Sequence, residues 1–162
     1  MVSHLKYVPD QHHNPCAGHI DYAYGFGASQ SGRYLRHFLY LGLSTDEMGR
    51  MVFDGVMPHI AGARRGEFNH RFAQPSAATL QEPGTLFPFT DKEQVDPVTG
   101  QRDSLLRRLA RTGHCPKIVY TNTSAEYWRG DASLSHISVD STTDVALPVA
   151  STQSVRQQSN DR

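Results

Sequence analysis

Apolar and polar positions fall into short blocks along the chain. From His19 to Gly27, "HIDYAYGFG" is rich in aromatic residues and ends on glycine, the pattern of a short buried strand. The next block, "SGRYLRHFLYLGL", changes period. Tyr34, Leu35, Phe38, Leu39 and Leu41 recur at helical spacing and predict an amphipathic helix. Arg33, Arg36 and His37 then fall on its other side, and Gly42 suits its C-terminal cap. A second apolar run, "RMVFDGVMPHIAG" from Arg50 to Gly62, reads as a buried strand and a loop. Strand, helix and strand in that order imply a right-handed βαβ crossover.

Before this unit, Met1 to Ala17 reads as a short helix or turn and then a polar loop. After it, Ala63 to Gly100 is rich in Pro, Gly, Arg and polar residues. A loop that long in a compact domain is usually functional or disordered. "DSLLRRLARTG" predicts a helix with Asp103 as N-cap and Gly113 past its end. "PKIVYTNTS" follows as a third strand, and "AEYWRGDASLSH" as a loop entering a helix. The tail from Ser138 to Arg162 is dominated by Ser, Thr, Gln, Asp and Val without periodicity, and reads as mostly disordered. No internal repeat interrupts the series.

Composition narrows the function classes. Lys plus Arg and Asp plus Glu balance at 16 each in 162 residues, so net charge implies neither nucleic acid nor an anionic membrane as partner. No apolar run approaches the roughly 20 residues that span a bilayer. "MVSHLKYVPDQHH" lacks the apolar core of a secretory signal, and the compartment is left open. Cys16 and Cys115 could form a disulfide or stay free; free thiols are the simpler expectation. "HHNPC" holds too few ligands for a zinc site, so no metal is expected.

The chemistry concentrates in "GASQSG". A serine hydroxyl becomes a nucleophile only with a base to take its proton and N–H donors to hold the developing oxyanion. A sharp strand–turn–helix lifts such a serine above the sheet and turns the next residue's N–H toward it, which is the logic of G-x-S-x-G. Here Gly27 and Ser29 fill the first two fixed positions, Ser31 replaces the last glycine, and Gly32 follows. Letters and context fit either a nucleophile elbow with Ser29 at its tip or a structural turn. Ser31, the competing serine, is expected to support the helix start.

Three long blocks then carry a resemblance. "YGFGASQSGRYLRHFLY", "FDGVMPHIAGARRGEFNHRFAQPS" and "YTNTSAEYWRGDASLSH" closely resemble the α/β-hydrolase-domain proteins of bacterial type, a largely uncharacterised, esterase-like group. The similarity runs from about Val2 to about Pro148. It implies Ser29 as nucleophile, Gln30 as the residue whose N–H enters the oxyanion hole, and Glu126 of "SAEYW" as the acid that orients a histidine. It places the run from Phe68 to Pro75 in a loop near the active-site face. It also implies hydrolysis of small acyl esters without a cofactor.

From the residues, Glu126 and Asp131 both follow the third strand, where the acid of a Ser–acid–His order belongs. Glu126 lies nearer the strand end. Tyr127 and Trp128 are expected to pack. Only His136 follows Glu126, and it follows closely; His59 and His70, which flank the start of the long loop, are the substitutes if the triad order differs.

Relative to the family, the chain looks truncated at both ends, without the loop that carries the second oxyanion donor and without a late catalytic histidine. The expected architecture is a partial α/β-hydrolase fold over residues 1–137, a mostly parallel sheet flanked by helices, with a polar tail over 138–162. Open sheet edges would favour self-association. The rival reading is a catalytically inactive hydrolase fragment or interaction module that keeps only the scaffold.

Overall fold

The computed structural model describes residues 1–66, 68, 87–96, 99–135, 137–139 and 146–148. In chain order come α1 (Val2–Tyr7), β1 (Tyr24–Ala28), α2 (Gln30–Tyr40), β2 (Gly55–His59), β3 (Gln94–Val95) and β4 (Arg102–Asp103). They are followed by α3 (Arg107–Thr112), β5 (Lys117–Ile118), α4 (Ser124–Arg129), a 3-10 turn (Ala132–Ser135), β6 (Ile137–Val139) and β7 (Ala146–Pro148). The sheet that organises the fold is parallel, in the order β1-β2-β5. β1 and β2 are aligned from Tyr24↔Gly55 to Ala28↔His59, so both strands end at the same edge. β3 pairs with β4 and β6 with β7, each as a separate antiparallel ladder.

The three parallel strands are those the apolar blocks predict, but β1 is buried on the opposite residues. Gly25 and Gly27 face α2: a Cβ on Gly25 would lie 3.3 Å from Val56 and 3.5 Å from Leu35. The aromatic residues alternate to the other face, where Tyr22, Tyr24 and Phe26 are 68, 71 and 67% exposed. The strand therefore uses its glycines to admit a helix rather than its aromatic rings to fill a core. Among the described residues, nothing covers that aromatic face.

α2 also turns a different side inward from the one its apolar spacing suggests. Gly32, Leu35, Arg36, His37 and Leu39 are buried, whereas Tyr34 and Leu41 are 45 and 41% exposed. The seam runs 32, 35, 36, 39, a helical stripe that begins on the glycine and so carries Arg36 into the interior. Arg36 is only 1% exposed, and its Nη2 donates to the carbonyls of Ala63 (3.0 Å) and Phe89 (2.8 Å). Its guanidinium lies 5.1 Å from the centre of the Tyr120 ring. Partners of this kind are what make a buried guanidinium tolerable.

Leu39, Val56 and Leu109 form the core, with Phe53, Leu106 and Ile118 packed against them. Gly42 and Gly113 follow α2 and α3 at φ 74° and 71°, left-handed as their positions predict. Asp103 does not cap α3, which starts at Arg107 with Leu106 at the N-cap position. Asp103 pairs instead with Gln94 in β4, and its carboxylate accepts the Tyr40 hydroxyl at 3.0 Å, a tertiary bond to α2 that a cap would forfeit.

Cys16 and Cys115 are both free. Among the described residues, no helix is long and apolar enough to cross a membrane. Of the tail, Ser138 and Val139 lie in β6 and pair with β7. The rest of the tail lies outside the described residues.

Leu39 sits at the contact of α2, β2 and α3 with no exposed surface. Leu39→Ala should lower unfolding free energy by about 2–5 kcal/mol in urea titrations, while a change at exposed Leu43 should cost far less.

Candidate active site

Ser29 stands between the last residue of β1 and the first of α2. Its backbone has φ 54° and ψ −117°, a conformation that glycine adopts readily and residues with a Cβ seldom do. Two close approaches hold it there. A Cβ on Gly27 would lie 2.5 Å from the Ser31 carbonyl oxygen, and one on Gly32 would lie 2.9 Å from Ala61 Cβ and from the carbonyl oxygens of Gly27 and His59. Gly32 thus makes the tight contact between helix and sheet, which is why Ser31 can replace the usual glycine: its own side chain points outward and is exposed. The Ser29 N–H donates to the His59 carbonyl (2.9 Å), tying the turn to the end of β2. Ser29 and Gln30 are exposed, at the carboxyl ends of the strands where α/β sheets bind ligands.

Strain recurs on the neighbouring strand end. Ile60, directly after β2, has φ 44°, and its N–H is anchored to the Thr121 carbonyl at 2.7 Å. Two non-glycine residues at positive φ therefore sit side by side at one edge of the sheet.

Glu126 lies in the first turn of α4, not in a loop. Thr123 caps this helix, its Oγ1 accepting the Glu126 N–H at 3.2 Å, so "TSAE" acts as a helix start. Arg33 Nη2 donates to Glu126 Oε1 at 3.4 Å. Asp131 holds the other side of the same guanidinium, accepting Nη1 on Oδ2 (3.1 Å) and Nη2 on Oδ1 (3.3 Å). It also accepts the N–H groups of Ala63 (3.2 Å) and Arg64 (3.3 Å), and pairs with the Arg64 side chain. Burial of Asp131 works to raise its pKa, but the hydrogen bonds and charges of Arg33 and Arg64 prevail and bring it to about 2. Gly62, at φ 62°, lets the loop after β2 come against this carboxylate; a Cβ there would collide with Oδ1.

The sequence-predicted residues are thus brought together only in part. Ser29, Gln30, Glu126 and His59 lie at the same end of the sheet. His59 is half-buried, with its ring stacked on Phe26 (6.1 Å) and its Nδ1 2.9 Å from Thr121 Oγ1. Among the described residues, no hydrogen bond joins a histidine to Ser29 Oγ. His70 and His136 lie outside the described residues, as does the run from Phe68 to Pro75 apart from Phe68 itself. Trp128, expected to pack, is 80% exposed. Arg33, expected on the solvent side, and Asp131, ranked behind Glu126, form the densest ionic contact of the region; a cation one turn after Ser29 needs a counter-ion, and that was the available signal.

A shallow groove of about 280 Å³ opens at the opposite end of the strands, lined by Tyr22, Tyr24, Met51, Asp54, Cys115 and Lys117. It includes none of the candidate residues. Among the described residues, no cluster of three or more His, Cys, Asp or Glu could hold a metal ion. In "HHNPC", His13 bonds to Asp10 instead (2.5 Å).

The profile of the alpha/beta hydrolase domain family matches residues 2–161. The chain belongs to that family. The match passes Pro148, where the resemblance of the motifs was expected to end, and includes most of the tail. No curated protein and no solved structure matches the chain. Within this hydrolase-family domain, the parallel sheet flanked by helices is the expected fold class.

The Asp131 network makes acid stability testable. A carboxylate whose folded pKa is depressed contributes stability above its unfolded pKa, near 3.8, and loses it as pH falls toward about 2. The stability gap between the parent chain and Asp131→Asn should therefore shrink by about 2 kcal/mol as pH falls from about 5 to about 2. A gap that stays constant in urea titrations across that range would show that the ion pairs do not set it.

Proposed function

We propose that this hydrolase-family domain is an esterase-like serine hydrolase with Ser29 as its nucleophile. The carrying observation is the Ser29 backbone at φ 54° and ψ −117° on an exposed turn between strand and helix. Such a conformation costs about 1–3 kcal/mol, and strain of this kind gathers at functional sites. It fits a nucleophile elbow better than a structural turn, where glycine would serve at lower cost.

Ser29 Oγ attacks the ester carbonyl carbon while a histidine takes the hydroxyl proton. The carbonyl becomes an oxyanion, and the N–H of Gln30, the first residue of α2, donates to it. Collapse of the tetrahedral intermediate breaks the bond to the alcohol, which leaves with the proton from the histidine. Water then repeats the sequence on the acyl-enzyme and restores Ser29. Glu126 orients the histidine, which is one of His59, His70 and His136. The substrate is a small acyl ester, and the chemistry calls for no cofactor.

One observation favours the scaffold reading, in which the fold is kept without turnover: the described base candidate, His59, is engaged with Phe26 and Thr121 rather than with Ser29. Short-chain ester hydrolysis separates the two. The hydrolase reading predicts turnover that Ser29→Ala lowers by 10³-fold or more, that Ser31→Ala leaves within about threefold, and that one of the three histidine substitutions lowers comparably. Absence of turnover in the folded chain, or activity that survives Ser29→Ala, would overturn it.

A further inference from the structure

We infer that Arg33, locked in place by Asp131, is the positioning residue that sets Glu126 relative to Ser29; this rests on the esterase reading above. Arg33 belongs to both halves of the site. Its backbone N–H donates to the Ser29 carbonyl at 2.9 Å, one helical turn into α2. Its side chain reaches across to α4, where Nη2 meets Glu126 Oε1 at 3.4 Å. Arg33 and Glu126 are 93 residues apart in sequence, and this guanidinium spans the gap between their helices.

Asp131 makes the span rigid. Its two oxygens take Nη1 and Nη2 side by side, a two-point grip that fixes the guanidinium plane and leaves Nη2 shared with Glu126. Asp131 is itself held by the N–H groups of Ala63 and Arg64, which the left-handed Gly62 brings against it. Arg33 also donates to the Arg64 carbonyl at 3.3 Å. With Oε1 of Glu126 engaged by Arg33, Oε2 accepts no hydrogen bond among the described residues and is the oxygen open to a histidine N–H. The geometry divides the carboxylate: one oxygen for position, the other for the base. Lysine cannot replace this grip, because one ammonium does not present two parallel N–H groups to Asp131 and a third to Glu126.

The test combines ester kinetics with covalent labelling of Ser29 by a fluorophosphonate probe, on variants that keep the parent melting transition. Arg33→Met should slow labelling and kcat by about 100-fold with KM changed by less than about threefold, the size of effect a misplaced catalytic group produces. Arg33→Lys should fall between Met and the parent. In a Glu126→Gln background neither change should slow the protein further, because Arg33 acts through Glu126. Arg50→Met, which removes an ion pair with Asp46 away from Arg33, Glu126 and Asp131, should label at the parent rate. If Arg33→Met does not fold, the Arg33→Lys cycle with Glu126→Gln gives the same reading. Normal labelling in folded Arg33 variants, or effects of Arg33 and Glu126 that multiply, would overturn the positioning role while the esterase reading stands. A parent chain that neither labels at Ser29 nor turns over would overturn both.

Discussion

The close approach of α2 to the sheet at Gly27 and Gly32 is the constraint from which the rest follows. No atom larger than hydrogen fits on either residue where helix, β1 and the end of β2 meet. With that contact made, the chain between strand and helix has a single residue in which to reverse, and Ser29 is forced to positive φ. The same contact sets the rotation of α2. A seam beginning at Gly32 continues through Leu35, Arg36 and Leu39, so the helix buries a guanidinium and leaves Tyr34 outside the core, partly exposed. Interior polarity is here a consequence of backbone geometry, made tolerable by the Ala63 and Phe89 carbonyls and the Tyr120 ring.

Charge pairing then connects the sheet edge to the elements that follow it. Asp131 draws Arg33, Arg64 and two backbone N–H groups around one carboxylate that is only 7% exposed. Such a cluster adds little net stability compared with a well-packed apolar one, since desolvation opposes it. What it does is tie α2, the loop after β2 and the segment after α4 to one carboxylate. A buried carboxylate without these partners would cost several kcal/mol, so alternative dockings of α4 are disfavoured.

Much of this fold is legible in the chain, and the unread parts share a cause. Period and turn chemistry place β1, α2, β2 and β5, and the glycines at 42 and 113 end their helices as expected, because these are local properties of the backbone. The face that an element buries is not local. Tyr24 and Phe26 signal a buried strand by hydrophobicity, yet Gly25 and Gly27 take the inner side because a helix must come within contact of them. Arg33 and Arg36 look alike in the pattern. Only the tertiary arrangement shows that one anchors loop carbonyls inside the core and the other bridges two carboxylates. Asp103 illustrates the same competition, leaving a cap for the Tyr40 hydroxyl. At the candidate site, the turn draws notice to Ser29 and the place after β5 draws notice to Glu126. The Gly62 contact that braces Asp131 had no counterpart in spacing or composition.

Ser29 is held in a conformation that costs stability and that glycine would adopt without strain. Comparing unfolding free energies of Ser29→Gly and Ser29→Ala tests it most directly. Glycine ordinarily costs about 0.5–1 kcal/mol relative to alanine through the flexibility of the unfolded chain. If Ser29 is strained as the backbone shows, relief of about 1–3 kcal/mol of strain outweighs that cost, the order reverses, and Ser29→Gly is the more stable by about 0.5–2 kcal/mol. An alanine variant as stable as the glycine variant, or more so, would contradict the account.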